Sequence, residues 1–382
     1  MRNNCPHLLH DERGMSLVFV CLGFMAMLSA TTLAIDVGLF MNSRSQAQNA
    51  ADAGALAGAV ALAYNNYTDR SAGGPAVQSA INTAVANKVS GQVVSVGPAD
   101  VTFPNDPSGQ PNRVAVQVFR TLGRNNAVPT LMGTLFGVQT VDIGASATAE
   151  ASPANAETCV KPFTIPDKWR EVDNGPWTPQ SEFNLAKDVY IGLNPSPDPN
   201  TNYTGYNAER DKGLEIVLKA SNATKITASF YNPYDLPGSV GASDYRANIE
   251  GCNSSVIDIG DTRPPENGNM VGPTRQGTQA LIDKDPGAVW NTGCNCVQGS
   301  AYGSHSPRIV IIPVYDPVAY ANGPQTGKNI VLKFTNFIGF FIEPLNGSGE
   351  VMGRITPVAG RMAGGGGPAP AGAFAKIIRL VQ

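Results

Sequence analysis

Residues 15–35 read MSLVFVCLGFMAMLSATTLAI, and residues 36–64 continue as DVGLFMNSRSQAQNAADAGALAGAVALAY. The first stretch carries no charge. Its 21 residues, at 1.5 Å each, make a helix of about 31 Å, the thickness of the hydrocarbon core of a bilayer. The second stretch is rich in Ala from Ser43 to Tyr64, which gives high helix propensity, so the membrane helix is expected to continue outward. A signal peptide would have a shorter apolar core. Leu28-Ser29-Ala30 offers a small-residue cleavage site, but apolar character runs on through Ile35 into Asp36-Val37-Gly38-Leu39-Phe40 with no break in helical patterning. An uncleaved anchor is therefore expected. Arg2 and Arg13 precede the span and only Arg44 follows closely, which points the N-terminus to the cytoplasm and the C-terminal region to the periplasm.

The Ala-rich stretch carries two rows of small side chains. Gly54 and Gly58 form a G-x-x-x-G, and Ala47, Ala51, Ala55, Ala59 and Ala63 recur every fourth residue. Such a face lets another backbone approach closely. It suits packing on the protein's own sheet, with Leu56, Val60 and Tyr64 as core anchors, and it equally suits packing on another chain. The sequence leaves both open, and with them the oligomeric state.

The whole chain of 382 residues has only 15% charged residues but 41 Gly and 29 Pro, a composition of short strands and many turns. A formal net charge of -3 supplies no basic field, so no nucleic-acid partner is expected. Val77, Ile81, Val85 and Val89 mark a second helix over residues 76–89. Strands are expected at 92–96, 114–119 and 139–149, with a short helix at 128–136 opened near Pro129. Ser152-Pro153-Ala154-Asn155 reads as a boundary. After it, β-like runs at 214–218, 228–231, 308–314, 329–342, 351–358 and 374–381 argue for a mainly β module, with residues 362–372 as a Gly-rich loop. FTNFIGFFI, residues 334–342, is too short to cross a bilayer and belongs in a core.

Three motifs together resemble a known family: an Arg-Gly before an apolar helix, then Ala34-Ile35-Asp36-Val37-Gly38, then Gln48-Asn49-Ala50-Ala51-Asp52-Ala53 with Ala55-Leu56-Ala57-Gly58-Ala59. They look like the N-terminal signature of TadE/TadG-like Flp (Tad) pilus-assembly proteins, over about residues 13–63. VPTLMGTLFGVQTVDIGASATAEA, residues 128–151, looks like the usual continuation. The resemblance and the residue patterns together give an α+β chain. Its expected parts are a cytoplasmic leader (1–14), a transmembrane helix (15–35) continuing into a small TadG-like α+β module (36–151), and a mainly β extracytoplasmic module (156–382). The resemblance implies a structural or assembly role in Flp/Tad-type pilus biogenesis, with pilus-assembly or envelope proteins as partners and the lipid bilayer engaged through residues 15–35. Some TadG-like chains carry a von Willebrand A module with a D-x-S-x-S metal motif, and no such pentapeptide occurs here.

Catalytic chemistry is weakly represented, and no enzyme activity, cofactor or metal is expected. His305, the only His beyond the span, lies in Ser304-His305-Ser306, where adjacent side chains cannot pair in extended backbone. Cys5, His7 and His10 have ligand-type side chains, but a zinc site needs four ligands and Asp11 or Glu12 would have to complete it, so an unstructured leader is expected. Gly323 to Asn329 is one residue short of a P-loop and has Asn where magnesium needs Ser or Thr. Asp198, Asn200 and Asn202 offer scattered oxygen ligands. Two rival readings remain: a signal-anchored hydrolase drawing on Asp258, Asp261, Glu266, Asp283 or Asp285, and an adhesin or carbohydrate-binding module using Trp169, Trp177 or Trp290 as stacking platforms. Cys159, Cys252, Cys294 and Cys296 are expected to form two disulfides in an oxidising compartment. A Cys294–Cys296 bond is the least expected, because one intervening residue makes a tight ring; the other two pairings would each staple Cys159 and Cys252 to the Cys294–Cys296 loop.

Overall fold

The computed structural model describes residues 12–107, 109–192, 203–221, 225–324, 329–362, 369–370 and 372–381. Most of the leader with Cys5, His7 and His10, the Asp198–Asn202 oxygens, residues 325–328 of the P-loop-like turn and residues 363–368 of the Gly-rich loop lie outside these.

A single 53-residue helix, α1 (Glu12–Tyr64), opens the chain. Its first half is bare: Leu17, Phe19, Val20, Leu22, Phe24 and Met25 are all exposed. The hydroxyls within it turn inward along the helix, Ser29 donating to Met25 O, Thr31 to Met27 O and Leu28 O, and Thr32 to Ser29 O. A polar group satisfied by its own helix needs no water. It is the one helix among the described residues long and apolar enough to cross a membrane. The second half buries Ala47, Ala50, Ala51, Ala55, Ala59 and Leu62.

Helix α2 (Pro75–Ala86) begins with Pro at its first turn, where no N–H is required. It stops three residues short of the expected Val89, because Ser90 and Gly91 turn the chain with positive φ. Its buried face is Ala76, Val77, Ala80 and Ala84. Both helices cover one face of an antiparallel sheet built on β1 (Val101–Thr102), β2 (Arg113–Arg120) and β3 (Ile143–Pro153). Val114, Val116 and Val118 alternate inward from β2, as period-two patterning requires.

Two expected elements of this region differ. Residues 92–96 make only the isolated bridges Val89–Gln92 and Ser95–Phe119. The helix expected at 128–136 is a short hairpin, Val128–Pro129 pairing with Thr140–Val141, with one 3-10 turn at Gly133–Phe136. Pro129 biases Val128 to extended backbone, which pairing with Val141 then uses.

The mainly β part closes on itself. Strands β4 (Phe163–Pro166), β5 (Glu215–Ala220) and β6 (Phe230–Pro233) precede two helices, α3 (Gly241–Glu250) and α4 (Val271–Lys284), and β7 (Ile309–Tyr315), β8 (Leu332–Ile342) and β9 (Val351–Thr356) follow. The hydrogen-bonded order is β8-β7-β4-β6-β5-β9, and β9 pairs back onto β8 from Gly339–Thr356 to Ile342–Gly353, a six-stranded barrel. Closure removes the unpaired edges that an open sheet would expose. Pairs β4–β7 and β5–β6 are parallel. Val310, Ile312, Val314, Ile338, Phe340 and Ile342 join one cluster, while Leu332, Phe334 and Phe337 enter a second, so the FTNFIGFFI run is buried on both faces. Helices α3 and α4 pack together where Gly277 meets the Ile249 side chain.

After β10 (Val358–Ala359), the last strand β11 (Ala375–Val381) leaves the barrel and pairs with β3 from Lys376–Pro153 to Val381–Thr148. The first sheet is therefore ordered β1-β2-β3-β11-β10. The sequence assigns residues 374–381 to the second module; β2 covers only one edge of β3, and β11 supplies the partner for the other.

Candidate functional site

The region with most functional content is the packed half of α1 and what grips it. A Cβ on Gly54 would stand 3.0 Å from Ala80 O and from Ala84 Cβ; on Gly58 it would stand 2.8 Å from Val114 Cγ1 and 3.1 Å from Ala80 Cβ. The G-x-x-x-G face thus receives α2 and β2 of its own chain. Further along, Gln48 Nε2 donates to Ser146 O at 3.1 Å, and Gln46 accepts from Ser90 N at 2.7 Å.

Asp36 closes the lower end of this seam. Its carboxylate, buried, accepts three backbone N–H groups: Leu131 at 2.9 Å, Met132 at 3.1 Å and Gly133 at 2.7 Å. These are the free donors that open the 3-10 turn, so the acidic side chain satisfies groups that would otherwise be orphaned. The first charged residue after the apolar span is in this way covered by the 130–138 loop.

At the upper end the barrel holds the helix terminus. Lys212 Nζ donates to Tyr64 O and Asn65 O, both at 2.8 Å, a cation on the negative end of the helix. Burial lowers the Lys212 pKa. Glu150 ties three strands together, accepting from Arg113 of β2 at 2.8 Å, Arg379 of β11 at 3.2 Å and Ser152 of β3. Burial pushes Glu150 up, but these donors outweigh it and hold the carboxyl below its usual value. Glu157 lacks such support: burial raises its pKa to about 8, against weaker opposition from Thr158 N–H and Arg361. Lys376 is pushed down to about 7 by burial.

Inside the barrel part, fully buried Asp167 is the polar hub. It accepts from Tyr203 Oη at 2.6 Å, Tyr190 Oη and Thr335 Oγ1 at 3.1 Å, and the N–H groups of Lys168 and Tyr206 at 2.9 and 3.0 Å. Burial raises its pKa, and the donors oppose that shift. Lys168 next to it bonds Asp211 at 2.6 Å. The network fastens segment 203–211 to β4 and β8.

The hydrolase candidates do not converge. Asp283 is exposed on α4, where Gln279 binds it, whereas Asp285 is held by Ser300 Oγ, Ser306 Oγ and Ala301 N. Asp261 takes Arg263 and Asp258 N, and Glu266 lines a separate cavity of about 240 Å³ with Asn232 and Tyr320. His305 is exposed, while its neighbour Ser306 serves Asp285. Trp169 is buried edge-on between Trp177 and Phe183, which removes it as a stacking platform; Trp177 and Trp290 are half-buried, Trp290 against Phe341. Glu171, Asp173 and Asp188, which the sequence analysis did not single out, bring carboxylate oxygens within 4.8 Å of one another. Local donors occupy them: Lys187 on Asp173, Trp169 Nε1 on Glu171, and Val172 N and Asn184 N on Asp188.

The disulfides are Cys159–Cys252 and Cys294–Cys296, which overturns the expected stapling of Cys159 and Cys252 to the later loop. Asn295 has φ +48°, at the tip of the hairpin formed by Val289–Asn291 and Cys296–Gln298. That left-handed residue turns the chain back so that the neighbouring Cα atoms lie 5.2 Å apart, within reach of a bond.

No curated protein and no solved structure matches the chain. Residues 14–61, the span and the gripped half of α1, match the family model described as "Putative Flp pilus-assembly TadE/G-like", and in this segment the chain is TadE/G-like.

Proposed function

We propose that the protein is a structural or assembly component of Flp/Tad-type pilus biogenesis, held in the inner membrane by α1 and presenting the barrel to pilus-assembly or envelope partners in the periplasm. The observation that carries this reading is the coincidence of the TadE/G-like match with α1. One unbroken helix is apolar and bare over one half and locked into a folded body over the other. A rigid stalk of this kind sets the distance and orientation of the body from a bilayer. On this reading no substrate is turned over, and the buried carboxylates serve as hubs of folding.

Fusion of alkaline phosphatase after Gly91, in the exposed turn beyond α2, tests the topology, because the reporter needs an oxidising compartment. High phosphatase activity is expected; activity from a cytosolic reporter at the same point would refute the periplasmic orientation. Deletion of the gene should reduce surface pili, and wild-type piliation would refute the assembly role.

A further inference from the structure

We infer that the 128–141 hairpin is a second, shallow membrane contact: its tip seats in the interfacial layer of the leaflet from which α1 emerges. The inference rests on the anchored reading above. Its occupant is the lipid bilayer that surrounds the span.

Three observations carry it. The first is level. Leu131, Met132 and Gly133 bond Asp36, which directly follows the apolar stretch 15–35, so the loop lies beside the end of the span and not up in the body. The second is composition. Residues 128–141, VPTLMGTLFGVQTV, contain no charge, and Leu131, Phe136 and Val138 are 61%, 63% and 49% exposed. Three large apolar side chains held out on one short uncharged loop are costly in water and favoured at a lipid boundary.

The third is continuity. With Asp36 covered by the loop, the exposed surface of α1 carries no charge from Met15 to Met41, and Met41 itself is 71% exposed. That stretch is about 40 Å long, more than the roughly 30 Å hydrocarbon core and close to the full bilayer with its headgroup layers. Residues 36–41 therefore fall in the interfacial layer, and whatever packs against them falls there too. Val37, Phe40 and Met41 line an open groove of about 460 Å³ with Val141 and Ile143, so apolar surface passes from the helix onto the hairpin, and the exposed Arg44 and Asp142 that also line the groove mark where it gives way to charge. The three N–H bonds also explain how a carboxylate tolerates that depth, since a buried charge needs full hydrogen bonding.

The test uses the full chain in vesicles of phosphatidylethanolamine and phosphatidylglycerol. In a background with both Cys5→Ser and Cys21→Ser, an NBD fluorophore is attached at Phe136→Cys, with Leu131→Cys as a second loop position, Leu28→Cys in the span and Val240→Cys on the barrel part. Expected are a blue shift and loss of fluorescence at 136 and 131 with spin labels near the headgroups, loss at 28 with labels at mid-bilayer, and water-like emission at 240. If 28 is quenched while 136 and 131 stay water-like, the inference falls and the anchor stands. If 136 and 131 are blue-shifted but unquenched, the loop is covered by protein and the inference also falls. If 28 is unquenched, the anchored reading fails and this one with it.

Discussion

Gly58 of α1 lies against Val114 of β2 so closely that a Cβ would come within 2.8 Å of Val114 Cγ1. Ala80 Cβ and Ala76 O crowd the same spot at 3.1 and 3.3 Å, so a larger side chain must displace these neighbours. Gly58→Leu should therefore cost about 1–3 kcal/mol, and Gly54→Leu a similar amount. Gly38, on the same helix, has nothing within 4 Å of its would-be Cβ, so Gly38→Ala should be neutral or stabilising by up to about 1 kcal/mol. Urea unfolding of the detergent-solubilised chain, with the three variants side by side, measures the contrast. Equal stability of all three would show that the small-residue face is not buried in solution.

Asp36 is the acceptor for three backbone donors, and removing it strands them. Asp36→Ala should destabilise by about 1–3 kcal/mol and speed amide exchange at residues 131–133, with little change in β2 or β3. Asp36→Asn keeps one acceptor oxygen and should fall between. Exchange in the loop that is the same in Asp36→Ala as in the parent would mean that these bonds do not hold it.

What the sequence made legible follows from locality. An uncharged stretch and an alanine row every fourth residue are visible within α1, and the alternation Val114-Val116-Val118 marks β2. The α2 face was only half legible: the stripe of Val77, Ile81 and Val85 suggests the core side, yet the helix buries Ala80 and Ala84, because α1 offers glycines there and only small residues fit against them. Asp36 gave no signal of its role, since its partners lie 95 to 97 residues on. Barrel closure through β8–β9, the return of β11 to β3 and the hub at Asp167 depend likewise on pairings distant in sequence. The cysteine pairing failed for a different reason: the left-handed Asn295 that permits Cys294–Cys296 cannot be read from spacing.

Glu157 makes stability depend on pH with a definite sign. Its folded pKa is raised from 4.5 to about 8, so the stability associated with the neutral form is fully present below pH 4.5 and is lost as pH rises through about 8. Lys376 works oppositely: lowered from 10.5 to about 7, it contributes stability above pH 10.5 that is lost as pH falls through 7. Between pH 5 and 7 the Glu157 slope is the larger of the two. Relative to Glu157→Gln, the parent should lose roughly 2 kcal/mol across that interval, as read by urea unfolding at both pH values. Parallel behaviour of the two proteins would show that Glu157 titrates normally.

The two disulfides should differ sharply in what they contribute. Cys159–Cys252 closes a separation of 93 residues and joins the entry to β4 with the residues just past α3. Lys161, two residues after Cys159, donates to Ile249 O at 2.8 Å and Gly251 O at 2.7 Å, so the same junction is also held by a cation on the helix C-terminus. The chain-entropy argument gives a bond of this span about 4–5 kcal/mol, and the surviving Lys161 contacts argue for the lower part of the measured range, so Cys159→Ser with Cys252→Ser should cost about 2–4 kcal/mol. Cys294–Cys296 has a sequence separation of only 2 in an exposed hairpin and restricts the unfolded chain less, so its double Ser variant should cost less than about 2 kcal/mol. Non-reducing peptide mapping of protein from the cell envelope reads the pairing directly. A peptide containing Cys159 linked to Cys294 or Cys296 would overturn both the connectivity and the ordering of the two losses.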